Sequence, residues 1–268
     1  MQALYAMPAF ALLFLAILFA VCAACGAEYF FQRVVLRGIT VDRTSAGVMT
    51  GIVGTLYSVI LGFIVGAAWQ QYDATRAHVG LEAASVGDAW HSSVGLAPQV
   101  RSAVRRDMLE YAHTMLDADW PAMRHGEFSA RGDSLIMDAT SAVNLTVPTN
   151  DSQSNAQQAT AHLLNDLHDE RQLRLSGNIS ISPFQWVILL MGSFVVVGFC
   201  CLFGIPHRRL QLAMLGAVTT MIASVLVLLF ELQAPFRSDL GIPSTPWAQL
   251  IAHIQDMDAP SAPEPMKM

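Results

Sequence analysis

The stretch Thr44–Tyr72, TSAGVMTGIVGTLYSVILGFIVGAAWQQY, constrains this chain more than any other feature, because it runs without a single charge for longer than the ~20 residues a bilayer crossing needs. It reads as a transmembrane helix. Gly54, Ser58, Gly62 and Gly66 recur every fourth residue and form one ridge of small side chains, along which another helix backbone can approach closely. About 100° round the helix runs a second row, Thr55, Val59 and Phe63. If the ridge packs on a neighbour, this row is free to face the centre of an assembly. The plainer alternative is simple packing in any membrane helix, where small residues at this spacing are common.

Composition agrees. The chain is 53% hydrophobic and 13% charged, against roughly 25% charged for an average soluble domain. Four long windows lack Asp, Glu, Lys and Arg, and most charges fall between Asp73 and Arg174. A net charge of −6 argues against nucleic-acid binding, which calls for a basic patch.

Met1–Ala27 carries no charge and contains ALLFLAILFAVCAACGA. A cleaved signal peptide competes for this segment, but no basic residue precedes the apolar run, so a retained first helix over residues 8–27 is expected. A short connector with Arg33, Arg37 and Arg43 returns the chain into the second helix at residues 44–69. Nothing breaks that helix before Pro98, so it is expected to continue through Glu82 and Trp90. Val100, Val104, Met108, Tyr111 and Met115 then mark one face of an amphipathic helix, with Arg101, Arg105 and Asp107 off it, and Trp120-Pro121 is expected to end it. A helix over Ser134–Asn144, a polar tip loop over Pro148–Asn155, and a returning helix over Ala156–Leu175 with Leu163, Leu164, Leu167 and Leu173 on one side complete the region. The third and fourth membrane helices are expected at 184–204 and 210–230, joined by a tight turn over Ile205–Arg209, with Trp186 at a headgroup level.

The fold class is therefore an all-α membrane protein with four transmembrane helices. A soluble helical domain, residues 73–182, is inserted between the membrane pairs 1–72 and 183–236, and residues 237–268 form a polar, Pro-rich tail. Orientation by charge is close to a tie. Arg33, Arg37, Arg43, Arg208 and Arg209 lie on one side and Arg76, Arg171, Arg174 and Arg237 on the other, which leans toward a helical domain outside the cytoplasm.

Little argues for catalysis. Cys22, Cys25, Cys200 and Cys201 suit small apolar packing, and a disulfide or metal site is the minor alternative. His162, Asp166 and Glu170, like His78 and Glu82, share helix faces, but a metal needs more ligands than either set shows. The nucleotide, hydrolase and zinc-protease signatures are absent, so neither an enzyme nor a cofactor is expected.

Ser58–Val65, SVILGFIV, followed by Trp69-Gln70-Gln71-Tyr72-Asp73, resembles the pore-helix motif of bestrophins, approximately SFVLGFYV and then WWNQYE. Leu232–Phe236 is similar to their N-P-F segment. LGF, W-x-x-Y, Glu82-Ala83, Trp120-Pro121, Arg171-x-x-Arg174-Leu175 and the closing Pro-Phe resemble, over about residues 45–240, the pattern of bacterial four-helix proteins described as bestrophin-like. The resemblance implies a homopentameric chloride-type anion channel in a bacterial inner membrane, with both termini and the helical domain cytoplasmic. The partners it implies are the lipid bilayer, further copies of the chain and small anions. Carried over by position, the hydrophobic neck falls on Thr55, Val59 and Phe63, with less aromatic bulk at Val59 and a hydroxyl at Thr55. Gln70, Gln71 and Arg76 are the candidate pore mouth. The acidic run of the animal calcium clasp is missing, since only Asp239 lies within about ten residues after Pro235-Phe236, so calcium gating through it is not expected. The alternative function is a non-conducting membrane scaffold or sensor whose helical domain binds a partner or ligand.

Overall fold

The computed structural model describes residues 8–35, 43–177, 181–202, 207–237 and 241–258, and every regular element among them is helical. Part of the expected turn at 205–209 lies outside the described residues, as do Arg37, Asp239 and residues 259–268. The chain divides into two compact units, Met1–Tyr72 with Asn178–Leu240, and Asp73–Gly177 with Gly241–Met268.

The first unit contains α1 (Ala9–Phe30), which widens into a π-turn over Phe31–Val35, the first part of α2 (Arg43–Ser92), α7 (Pro183–Cys201) and α8 (Arg208–Leu232). All four are long and apolar enough to cross a membrane. The start of α7 is fixed locally. The Ser182 hydroxyl accepts from the Gln185 backbone N–H, the Gln185 side chain accepts in return from the Ser182 N–H, and Pro183 occupies the first turn, where its missing N–H costs nothing.

α1 lies along α8, with Ala24, Cys201 and Leu215 buried together. Tyr57, Leu61 and Ala68 of α2 pack against Leu189 and Val196 of α7 and Leu229 and Leu232 of α8. Gly192 makes the α2–α7 contact possible, since a Cβ there would lie 2.5 Å from the Tyr57 ring. The Tyr57 hydroxyl donates to the Leu189 carbonyl at 3.2 Å, so the one polar atom of this ring is satisfied. At the other end of α7, Trp186 Nε1 donates to Gln233 Oε1 at 3.2 Å.

The second unit is built from the remainder of α2 with α3 (Pro98–Thr114), a π-turn over Met115–Asp119, α4 (Trp120–His125), α5 (Arg131–Asn144), α6 (Asp151–Ser176) and α9 (Thr245–Asp258). Four expectations are corrected here. Trp120-Pro121 does not end the helix. A proline ring inside an α-helix collides with the carbonyl four residues back, and the extra width of the π-turn lets the chain pass through to Gly126, whose φ of 80° terminates α4. The tip loop is shorter than expected, because Asn150 caps α6 by accepting from the Gln153 N–H at 2.8 Å. On α6 the buried stripe is Thr160, Leu164, Leu167, Arg171 and Arg174, while Leu173 is 45% exposed. Finally, the segment expected as a polar tail holds α9, whose Trp247, Ile251 and Ile254 are buried at helical spacing.

Candidate functional site

On α2 the row Thr55, Val59 and Phe63 stands open, with Val59 51% and Phe63 75% exposed. The Thr55 hydroxyl donates to the Gly51 carbonyl and that of Ser58 to the Gly54 carbonyl, both at 2.8 Å, so each keeps its proton on the helix and turns lone pairs outward. The ridge is open as well. A Cβ placed on Gly54, Gly62 or Gly66 would meet nothing within 4 Å. Gly54, Ser58 and Gly62 line one side of a groove of about 720 Å³, whose far wall includes Val218, Met221 and Val225 of α8. Gln70 and Gln71 are exposed further along α2, and Arg76, in the second unit, is exposed too.

The second unit holds a buried charge network. Glu82 of α2 accepts from Arg174 Nη2 at 3.0 Å, from Arg174 Nε and from the Tyr111 hydroxyl. Arg171 donates to Asp119 at 3.0 Å, to Asp133 at 2.9 Å and to the Ser129 carbonyl at 2.9 Å, and Arg174 also lies 3.8 Å from Asp119. Glu82, Asp119, Arg171, Arg174 and Tyr111 are all essentially inaccessible to water, with Trp247 of α9 packed edge-on to the Tyr111 ring. Burial works against the charge of each arginine. At Arg171 the facing Tyr111 and Asp119 outweigh it, and at Arg174 Glu82 does, so both guanidiniums bind their protons more tightly than usual. Burial, with the charge of Glu82, pushes the Tyr111 phenol well above its ordinary value. Gly132 leaves the room: a Cβ there would sit 2.7 Å from the Arg171 guanidinium.

The Bestrophin-like domain model matches residues 9–247, nearly the whole chain. The chain belongs to the bestrophin-like family. No curated protein matches it. Its fold is similar to that of a bacterial bestrophin homolog from Klebsiella pneumoniae in several single-substitution variants. One has a TM-score of 0.65 at 12% identity, covering 92% of this chain and 99% of that one. Two others have TM-scores of 0.63 at 15% identity and 0.62 at 14%, covering 92% and 91% of this chain and 99% of each. At that identity the likeness speaks to the fold alone.

In this bestrophin-like chain residues far apart in sequence converge in space. Glu82, Arg171 and Arg174 meet in the network, and the Arg174 guanidinium lies 5.8 Å from the Trp120 ring centre. Sequence reasoning missed Tyr111, Asp119 and Asp133 as members of it. The signal was available on α6, where two arginines continue the apolar stripe of Leu164 and Leu167, and charges at core positions require buried acids opposite them. The two histidine–carboxylate sets resolve into pairs: His78 meets Glu170 of α6 at 2.7 Å, and His162 meets Asp166 at 2.8 Å. Among the described residues no group of three or more His, Cys, Asp or Glu is arranged to hold a metal, and all four cysteines are free thiols.

Proposed function

We propose that this bestrophin-like protein is an oligomeric, chloride-type anion pore lined by α2, with several copies placing the Thr55, Val59 and Phe63 rows around one axis. The observation that carries the reading is the uncovered face of α2. A membrane-length helix carries adjacent rows of glycine, hydroxyl and apolar residues, of which Thr55, Ser58, Val59 and Phe63 are exposed, and a Cβ on Gly54, Gly62 or Gly66 would meet nothing within 4 Å. Thr, Ser and Gly gain nothing from facing lipid, whereas small residues permit close contact between copies. A ring of Val59 and Phe63 is suited to gating by dewetting. Gln70 and Gln71 supply amide donors at the mouth, and Arg76 further along the helix attracts anions by its field. The setting is a bacterial inner membrane, with residues 73–182 and both termini in the cytoplasm.

The test is chloride flux through the purified protein in liposomes. Phe63→Ala removes the bulkiest side chain of the row and raises conductance, and Val59→Ala acts in the same direction but more weakly. Liposomes that remain sealed to chloride with the wild type and both variants would remove the pore reading and favour a non-conducting scaffold or sensor.

A further inference from the structure

We propose that Arg33, Arg208 and Tyr29 form a binding site for the phosphate of an anionic phospholipid at one end of the first and last membrane helices. Arg33 stands in the π-turn that follows α1, and Arg208 opens α8, which runs alongside α1. Their guanidinium carbons lie 4.9 and 5.9 Å from the centre of the same Tyr29 ring. The ring attracts both cations through its face and restricts where they point. It does not neutralise them. Two like charges are thus gathered on one ring, and among the described residues neither forms an ion pair. Glu28, the nearest acid in sequence, is 1% exposed, accepts the Gln32 amide at 2.5 Å and lies beside Cys201. The site lacks an anion and is open to one: both arginines are exposed, and Tyr29 is 47% exposed.

A phosphate seated between the guanidiniums takes charge-assisted hydrogen bonds from both, with the Tyr29 O–H as a third donor. Depth decides which phosphate. The apolar spans end at Arg33 and begin at Arg208, which is headgroup level, where tyrosine and arginine are both at home. Phe30 and Leu210, close by along the two helices, are exposed and offer apolar surface for an acyl chain. Inorganic phosphate gains nothing from that surface. The inference holds whether or not the protein conducts.

The experiment measures lipid bound by the full-length detergent-purified protein, using native mass spectrometry with added phosphatidylglycerol or phosphatidylcholine. Phosphatidylglycerol binds preferentially. Arg33→Gln or Arg208→Gln weakens it roughly tenfold and the double variant about 100-fold, each losing a charge-assisted hydrogen bond to the phosphate worth about a factor of ten. Arg209→Gln removes the same charge from the adjacent residue and leaves binding within about twofold. Inorganic phosphate at equal concentration does not displace the lipid. Undiminished phosphatidylglycerol binding in the double variant, an equal loss in Arg209→Gln, or displacement by inorganic phosphate each overturns the proposal.

Discussion

Glu82 joins α2 to α3 and α6 within the second unit through buried hydrogen bonds. One carboxylate, closed off from water, meets both the Arg174 guanidinium and the Tyr111 phenol. Glu82→Gln keeps the shape but leaves Arg174 buried without its closest countercharge. Breaking a buried pair from one side costs about 3–5 kcal/mol, and the unfolding free energy in detergent should fall by that amount. An unchanged midpoint would mean that water reaches the network. Tyr111 gives a second reading of the same site. Its native form holds the phenolic proton more tightly than the unfolded chain does. The resulting stability is complete below the ordinary tyrosine range near pH 10 and is lost as pH rises through the raised value. The tyrosinate absorbance of wild type minus Tyr111→Phe should therefore appear only above that range while the protein is folded. A signal at or below pH 10 contradicts the burial described. At this scale the sequence was least legible. Helical periodicity puts Arg171 and Arg174 on the Leu164–Leu167 face, but only the approach of three other segments shows that Glu82, Asp119 and Tyr111 wait there.

Helices were easier to read than single contacts, because an uncharged run of bilayer length has few alternatives. α1, α7 and α8 lie within a few residues of their expected limits, and α2 continues past Glu82 and Trp90 because no proline or glycine cluster stops it. The errors have local causes. Pro121 reads as a stop in sequence, but a widened turn absorbs it, and the prolines around residues 245–258 mask a short amphipathic helix anchored by Trp247. What α2 does with its open ridge is the test at this level. Gly62→Leu inserts a branched side chain where a single chain has space, so the monomer should fold as before. Assembly should weaken by about 1–3 kcal/mol, the usual cost of overpacking a close contact. Light scattering coupled to size exclusion would report it. An oligomer of unchanged size in Gly62→Leu and in Gly54→Leu would show that the ridge faces lipid.

Orientation belongs to the whole molecule. Arg171 and Arg174 face Glu82 and Asp119 inside the second unit, so they carry little weight in a count of charges at the membrane, and the cytoplasmic placement proposed above for residues 73–182 rests on the resemblance to bestrophins. A cysteine placed at Ser152 should stay unlabelled by an impermeant reagent in intact cells and react after lysis, and labelling in intact cells reverses the topology. Class and helix number were legible at this scale, while the union of residues 241–258 with residues 73–177 was not, since nothing in the order of the chain foretells it. That union sets an order of events during synthesis. Glu82 and Asp119 leave the ribosome long before Arg171 and Arg174, and Trp247 emerges only after the segments of α7 and α8. Pairing of the acids therefore waits only for Arg171 and Arg174, whereas the Tyr111 face stays uncovered by Trp247 until two further membrane segments have been made.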